Sequence, residues 1–169
     1  QKILETVDGA PAYLDLAFLE QAADRLAATV RQSLAEMRAV DRIGTGEAKV
    51  ERVASSRRIF TEDGKFHGRM SSTRGRPQLR ELPEGRIDPM LKTVTFAAGE
   101  KPLARLHYYA THPQSFYGDP RVSYDFVGIA RERLEEEEGI FQVYFTGCAG
   151  DIAAGKYNDG SPEARRQLA

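Results

Sequence analysis

The segment from Leu103 to Phe145 constrains the fold most. Leu103 to Ala110 is an apolar strand pattern. Ser123 to Glu138 is a helix whose buried stripe is Phe126, Val127, Ala130 and Leu134. Ser123 suits its N-cap, Asp125 its first turn, and Gly139 stops it. Ile140 to Phe145 is a nearly continuous apolar run, the pattern of a strand buried on both faces. Strand, crossover helix and strand make a βαβ unit, which joins parallel strands. Their carboxyl ends then share one sheet edge, where ligands gather in open α/β folds. Thr111-His112-Pro113 follows the first strand, and Gly147-Cys148-Ala149-Gly150-Asp151 follows the second.

The remaining elements fit around that unit. Leu91 to Phe96 forms a hairpin with the first strand across a turn at Ala98 to Pro102. Gly44-Thr45-Gly46 breaks the pattern, and Ala48 to Ala54 then alternates apolar and polar, predicting a half-buried strand. From Leu14 to about Met37 an amphipathic helix presents Leu19, Leu26, Val30 and Leu34 on one face, expected to pack on a sheet. Asp8-Gly9 and Pro11 predict a turn before it. Ser161 caps a last short helix through Leu168. Ser55 to Arg86 carries Gly64, Gly68, Gly75, Pro77, Pro83 and Gly85 and reads as one long irregular loop, a class that is usually functional or mobile. Glu135 to Glu138 reads as a solvated helix end that frays. The fold class is α/β, a central mixed β-sheet with a βαβ unit over about 103–146 and flanking helices.

Composition narrows the function. The chain has 169 residues, 41% hydrophobic and 29% charged, the balance of one globular domain. A net charge of −1 gives no global attraction to nucleic acid. No window reaches the ~18 apolar residues of a transmembrane segment. One cysteine, Cys148, rules out an internal disulfide framework, and a buried, inert thiol is the favoured reading of it. The chain opens at Gln1 and ends at Ala169 within a helical pattern, so it reads as a piece of a longer protein.

Few residues carry chemistry. His112, just past an apolar strand, suits a metal ligand, a general base or a strand-end hydrogen bond. His107 lies within the strand and reads as structural; His67 lies in the Gly-rich loop without a specific role. The three histidines match no compact zinc spacing. The glycines of Gly147 to Asp151 let backbone amides approach a substrate, and Asp151 suits ligating, orienting a histidine or capping a turn. Arg57-Arg58, Arg69, Arg74, Arg76 and Arg80 suit carboxylate or phosphate recognition. The near-zero net charge favours instead a solvated loop balanced by acids elsewhere. No aromatic residue lies between Arg69 and Arg86, which argues against base stacking.

Five motifs in order carry a resemblance: Ser56-Arg57-Arg58, Gly85-Arg86-Ile87-Asp88-Pro89, Tyr109-Ala110-Thr111-His112-Pro113, Ser123-Tyr124-Asp125-Phe126-Val127-Gly128, and Gly147-Cys148-Ala149-Gly150-Asp151. From about Leu14 to its end the chain resembles the N-terminal catalytic domain of the neutral/alkaline, non-lysosomal ceramidase family. It looks closest to that family's uncharacterised bacterial relatives. The resemblance implies that residues 1–169 are a fragment of one α/β ceramidase-like domain, truncated at both ends. It implies a zinc-dependent hydrolase of lipid metabolism that cleaves an amide-type (N-acyl) bond. His112 maps onto a zinc ligand and Arg57 onto an active-site arginine, with Ser56 where the family has Asn.

The departures shape the expectation. The family's Gly-Asp-x-Ser-Pro segment maps onto Gly150-Asp151-Ile152-Ala153-Ala154, so its serine is replaced by Ala153. A metal-activated water then takes over the attack. The family's other zinc ligands fall before Gln1 and beyond Ala169, so the remainder of the parent chain completes the site, and the isolated chain is expected to be inactive. The expected catalytic residues are Arg57 and Asp151, the substrate-binding ones Arg57, Arg58, Gly147 and Gly150, and the metal ligand His112. The expected partner is a small-molecule or lipid N-acyl substrate. The resemblance alone points to a secreted or periplasmic location. The alternative is a non-catalytic relative that binds an anionic ligand in an Arg57/Arg58 cleft.

Overall fold

The computed structural model describes residues 15–116 and 121–169, so the turn expected at Asp8-Gly9 and Pro11 lies outside the described residues. The chain divides after Ala39 into two units. The first contains α1 (Leu16–Ser33), which ends in a 3₁₀ turn over Leu34–Glu36. The Asp15 carboxylate caps it by accepting the Phe18 amide at 3.0 Å. None of its residues is buried, and Leu19, Leu26, Val30 and Leu34 are exposed. The burial expected of this stripe against a sheet is therefore not found.

The second unit holds the remaining elements: β1 (Arg42–Lys49), β2 (Ser55–Ser56), β3 (Arg58–Phe60), β4 (Phe66–Gly68), β5 (Met90–Ala98), β6 (Lys101–Tyr109), α2 (Asp125–Glu138), β7 (Phe141–Thr146), β8 (Ile152–Ala153) and α3 (Pro162–Leu168). The central sheet has the order β1-β5-β6-β7. The first two pairings are antiparallel, and β6 and β7 run parallel from Ala104↔Phe141 to Tyr109↔Thr146. This is the mixed α/β sheet with its βαβ unit. No helix among the described residues is long and apolar enough to cross a membrane.

Three elements differ from expectation. The strand expected over 48–54 is β1, at Arg42–Lys49. It is an edge strand with every residue exposed, so no buried face imposes an alternation and the ladder tolerates Gly44 and Gly46. β7 is not buried on both faces. It forms the other edge, with Phe141 and Phe145 exposed and only Gln142 fully buried. The irregular segment 55–86 contains three short strands and a 3₁₀ turn at Pro77–Arg80.

Two helix ends have clear causes. Gly139 takes φ 66°, the left-handed region, and its amide bonds to Glu135 O at 2.9 Å, closing α2. The acidic run there is tied down rather than frayed. Glu138 pairs with Arg105 and accepts the Gln142 side-chain amide at 2.8 Å, while Glu135 accepts the Gln142 backbone amide at 3.0 Å. At the other end of the unit Ser161 caps α3 by accepting the Ala164 amide at 3.0 Å. The core joins Val53, Ala54, Tyr109, Phe126, Ile152, Ala154 and Leu168, so residues from both sides of segment 55–86 close on the βαβ unit.

Candidate functional site

The stretches after β6 and β7 meet, as parallel strands require. Gly147 N donates to Tyr109 O at 2.9 Å and His112 N to Ile152 O at 3.0 Å. β8 then pairs with β2, which brings Arg57 and Arg58 to the same rim. Arg57 N donates to Asp151 O at 2.7 Å, and Ser55 Oγ to Ala153 O at 2.8 Å.

Segment 55–86 is anchored from within. Arg69 is fully buried, and its guanidinium donates to the carbonyls of Leu79, Leu82, Ser56, Pro83 and Glu84 at 3.0–3.3 Å. Burial lowers its pKa, while Tyr157 and Glu84 work the other way. The expectation of a solvated loop arginine fails at this position. Sequence reasoning missed the role, because no pattern of neighbours marks an arginine whose partners are all backbone carbonyls.

Asn158 was also missed. It is fully buried and joins three stretches. Its Nδ2 donates to Ser71 O at 2.7 Å and Ser115 O at 2.6 Å, and its backbone oxygen accepts Thr73 N at 2.8 Å. Ser115 in turn donates its hydroxyl to Asp125 at 2.5 Å. The one available signal was the turn-forming Asn158-Asp159-Gly160.

Two clefts open on this scaffold, and Arg57 and Met70 line both. One, of about 560 Å³, is bordered by His112, Ser72, Arg74 and Gln114. The other, of about 770 Å³, is bordered by Arg58, Cys148, Gly150 and Asp151. Arg57 is half-buried, and its longest reaches are to Gly150 O and Met70 Sδ, both at 3.4 Å. Arg58 is engaged by Asp151, whose carboxylate also accepts Ser56 Oγ at 3.4 Å. That pairing raises the Arg58 pKa, through the hydrogen bond first and the charge second. Cys148 is exposed, which corrects the expectation of a buried thiol; it lies in the turn beyond β7, where no layer covers it. The Gly147 amide is spent on Tyr109, whereas Gly150 faces the larger cleft.

The histidines separate by role. His107 is buried between Thr93 Oγ1 at 2.8 Å from Nδ1 and Gln142 Oε1 at 2.7 Å from Nε2, a polar link across the sheet. The Nδ1–H of His112 donates to Ile152 O at 2.7 Å, so Nε2 is the ring nitrogen left with a lone pair. Among the described residues no group of three or more His, Cys, Asp or Glu side chains is placed to hold a metal ion.

No family model matches the chain, and no curated protein matches it. Among solved structures it is similar to a neutral ceramidase from Pseudomonas aeruginosa, with a TM-score of 0.58 at 15% identity. The match covers 86% of this chain and 23% of that one, so the chain spans under a quarter of that structure's length. At this identity the likeness is one of fold.

Proposed function

We propose that this chain is part of a zinc-dependent hydrolase that cleaves an amide-type (N-acyl) bond, with His112 as a metal ligand. The observation that carries this reading is the His112 ring. Its Nδ1–H is fixed on a backbone carbonyl at 2.7 Å, and it lines a cleft beside Arg57. Metal-ligating histidines are commonly held in this way, which sets the tautomer and orients the free nitrogen. The likeness of fold to a neutral ceramidase supports the same direction. His112 is this chain's contribution to the ligand set, and the remainder of the parent chain supplies the others. Bound zinc supplies a water of lowered pKa and polarises the substrate carbonyl.

The residues of this chain have distinct parts. Arg57 has no ion-pair partner among the described residues and only long side-chain contacts, so its guanidinium is available to an anionic group of the substrate, a carboxylate or a developing oxyanion. Asp151 positions it: the Asp151 carbonyl holds the Arg57 amide while the carboxylate holds Arg58 away from that task. Ala153 is buried at the β2–β8 ladder and offers no nucleophile, so water attacks. Gly150 borders the larger cleft, which shares Arg57 and Met70 with the cleft at His112. The alternative of a non-catalytic Arg57/Arg58 anion site is weaker, since Asp151 already occupies Arg58.

Zinc content tests the proposal. The purified parent protein should carry about one zinc per chain, lost in His112→Ala, and should release fatty acid from N-acyl substrates. A folded, zinc-supplemented protein that binds no zinc overturns it.

A further inference from the structure

The smaller cleft carries a second arginine to which the proposed hydrolysis gives no part. Arg57 and Arg74 line it, and no acidic side chain among the described residues does. Other arginines nearby are neutralised: Arg80 faces Asp159 at 3.8 Å and Arg165 faces Asp125 at 3.8 Å. Neither Arg57 nor Arg74 has an ion-pair partner among the described residues.

Arg74 is also seated. Its backbone amide donates to Ser72 Oγ at 3.0 Å. Its stem passes Gly160, where an added Cβ would lie 3.3 Å from both Arg74 Cβ and Cδ and 3.1 Å from Ser72 Oγ. Gly160 itself sits at φ 83°, a conformation other residues adopt only under strain. Gln114 borders the same space. Its Oε1 accepts Ser71 Oγ at 3.3 Å, and its NH₂ group can only donate. The cleft is thus rich in donors beside His112.

We infer that the substrate is an acidic N-acyl compound whose carboxylate lies between Arg57 and Arg74 while its amide lies at His112. This rests on the proposed hydrolase reading and adds the substrate class to it. Planar guanidinium groups match a carboxylate through paired N–H donors, and two of them lining one cleft select a charged end over a neutral one.

The test uses N-hexanoylglycine, its neutral amide N-hexanoylglycinamide and the matching aminomethylphosphonate, with binding measured by calorimetry on the parent protein. The acid should bind at least about tenfold more tightly than the neutral amide. Arg74→Gln and Arg57→Gln should each shrink that ratio to within about twofold, Arg74→Lys should recover part of it, and higher salt should narrow it. Arg133→Gln, which removes one exposed charge from α2, should leave it intact. Equal affinity for acid and amide, no binding of either, or a ratio that survives in both arginine variants overturns the inference. Tighter binding of the phosphonate overturns the carboxylate assignment. Zinc content and cleavage are read on the same samples. Cleavage of both compounds without the affinity ratio sinks the acidic substrate and leaves the hydrolase. The ratio without zinc or cleavage sinks the hydrolase and leaves the anion site.

Discussion

Arg58 holds Asp151 through two bonds, Nε to Oδ1 at 3.0 Å and Nη2 to Oδ2 at 3.3 Å. Its neighbour Arg57 gives its backbone amide to the same aspartate and keeps its guanidinium out of any ion pair among the described residues. Two adjacent arginines therefore have opposite roles, one structural and one available. The Arg58 side chain is 66% exposed, so water screens the pair. A double-mutant cycle of Arg58→Gln with Asp151→Asn, followed by urea unfolding, should give a weak coupling that falls with salt. A strong coupling that salt leaves unchanged means the pair is a buried anchor.

Arg69 should behave in the opposite way. Removing it takes a donor from five carbonyls at 3.0–3.3 Å, of which Leu82 O keeps the Lys156 ammonium and Glu84 O keeps the Ser56 amide. Arg69→Leu should cost about 3 kcal/mol or more in urea unfolding. Arg69→Lys should recover little, because one ammonium cannot span carbonyls arranged for a fork.

Asn158 places an amide nitrogen 2.7 Å and 2.6 Å from two carbonyl oxygens. Asn158→Asp replaces that donor with an acceptor at neutral pH, and should destabilise by about 2–4 kcal/mol. The loss should lessen as the pH falls, since the protonated carboxyl regains one donor. Thermal melts at pH 7 and pH 5 read the difference. The same variant should weaken ligand binding in the His112 cleft, because Ser71 and Ser115 both border it.

Alkaline stability should report Tyr109. It is 4% exposed, and its hydroxyl is buried without a partner in hydrogen-bond geometry. Burial pushes its pKa up to about 12, and the Ala54 backbone offsets this only in part. In the unfolded chain a tyrosine ionises near about pH 10. The folded state keeps the proton longer, so the stabilisation is complete below about pH 10 and is lost as pH rises toward 12. The loss amounts to at most about 3 kcal/mol. Tyr157, pushed up to about 12 by burial and by its bond to Glu84, acts in the same sense. Tyr109→Phe should flatten the fall in melting temperature between about pH 10 and pH 12; an unchanged slope rejects this account.

The βαβ unit was legible because its signals are local. Apolar runs, the helix periodicity and Gly139 each act over a few residues, and parallel topology follows from their order; the N-cap expected at Ser123 falls instead on Tyr124, which makes no side-chain cap bond. The edge strands were harder. β1 has no buried face, so its periodicity carries no signal, and Val53 and Ala54 owe their burial to the core beyond the sheet rather than to a strand. The candidate site was legible only in part. His112, Arg57 and Asp151 stand next to recognisable strand ends and motifs. Arg69 and Asn158 depend on partners 10 to 87 residues away, and most of those partners are main-chain carbonyls, which every residue has; the seat of Arg74 needs the distant Gly160. Side-chain chemistry could not reveal them.

The two-residue ladder of β2 and β8 joins Ser55 to Ala153 across a separation of 98 residues. Closing a loop of that length has an entropic cost before any contact within it is rewarded, and such distant pairings slow folding. The ladder is too short to offset this alone. Both clefts should therefore be among the last features to form on refolding, after the local hairpin of β5 and β6. They should also be the first to open under mild denaturant, with hydrogen exchange at the Arg57 and His112 amides outrunning that of the central sheet.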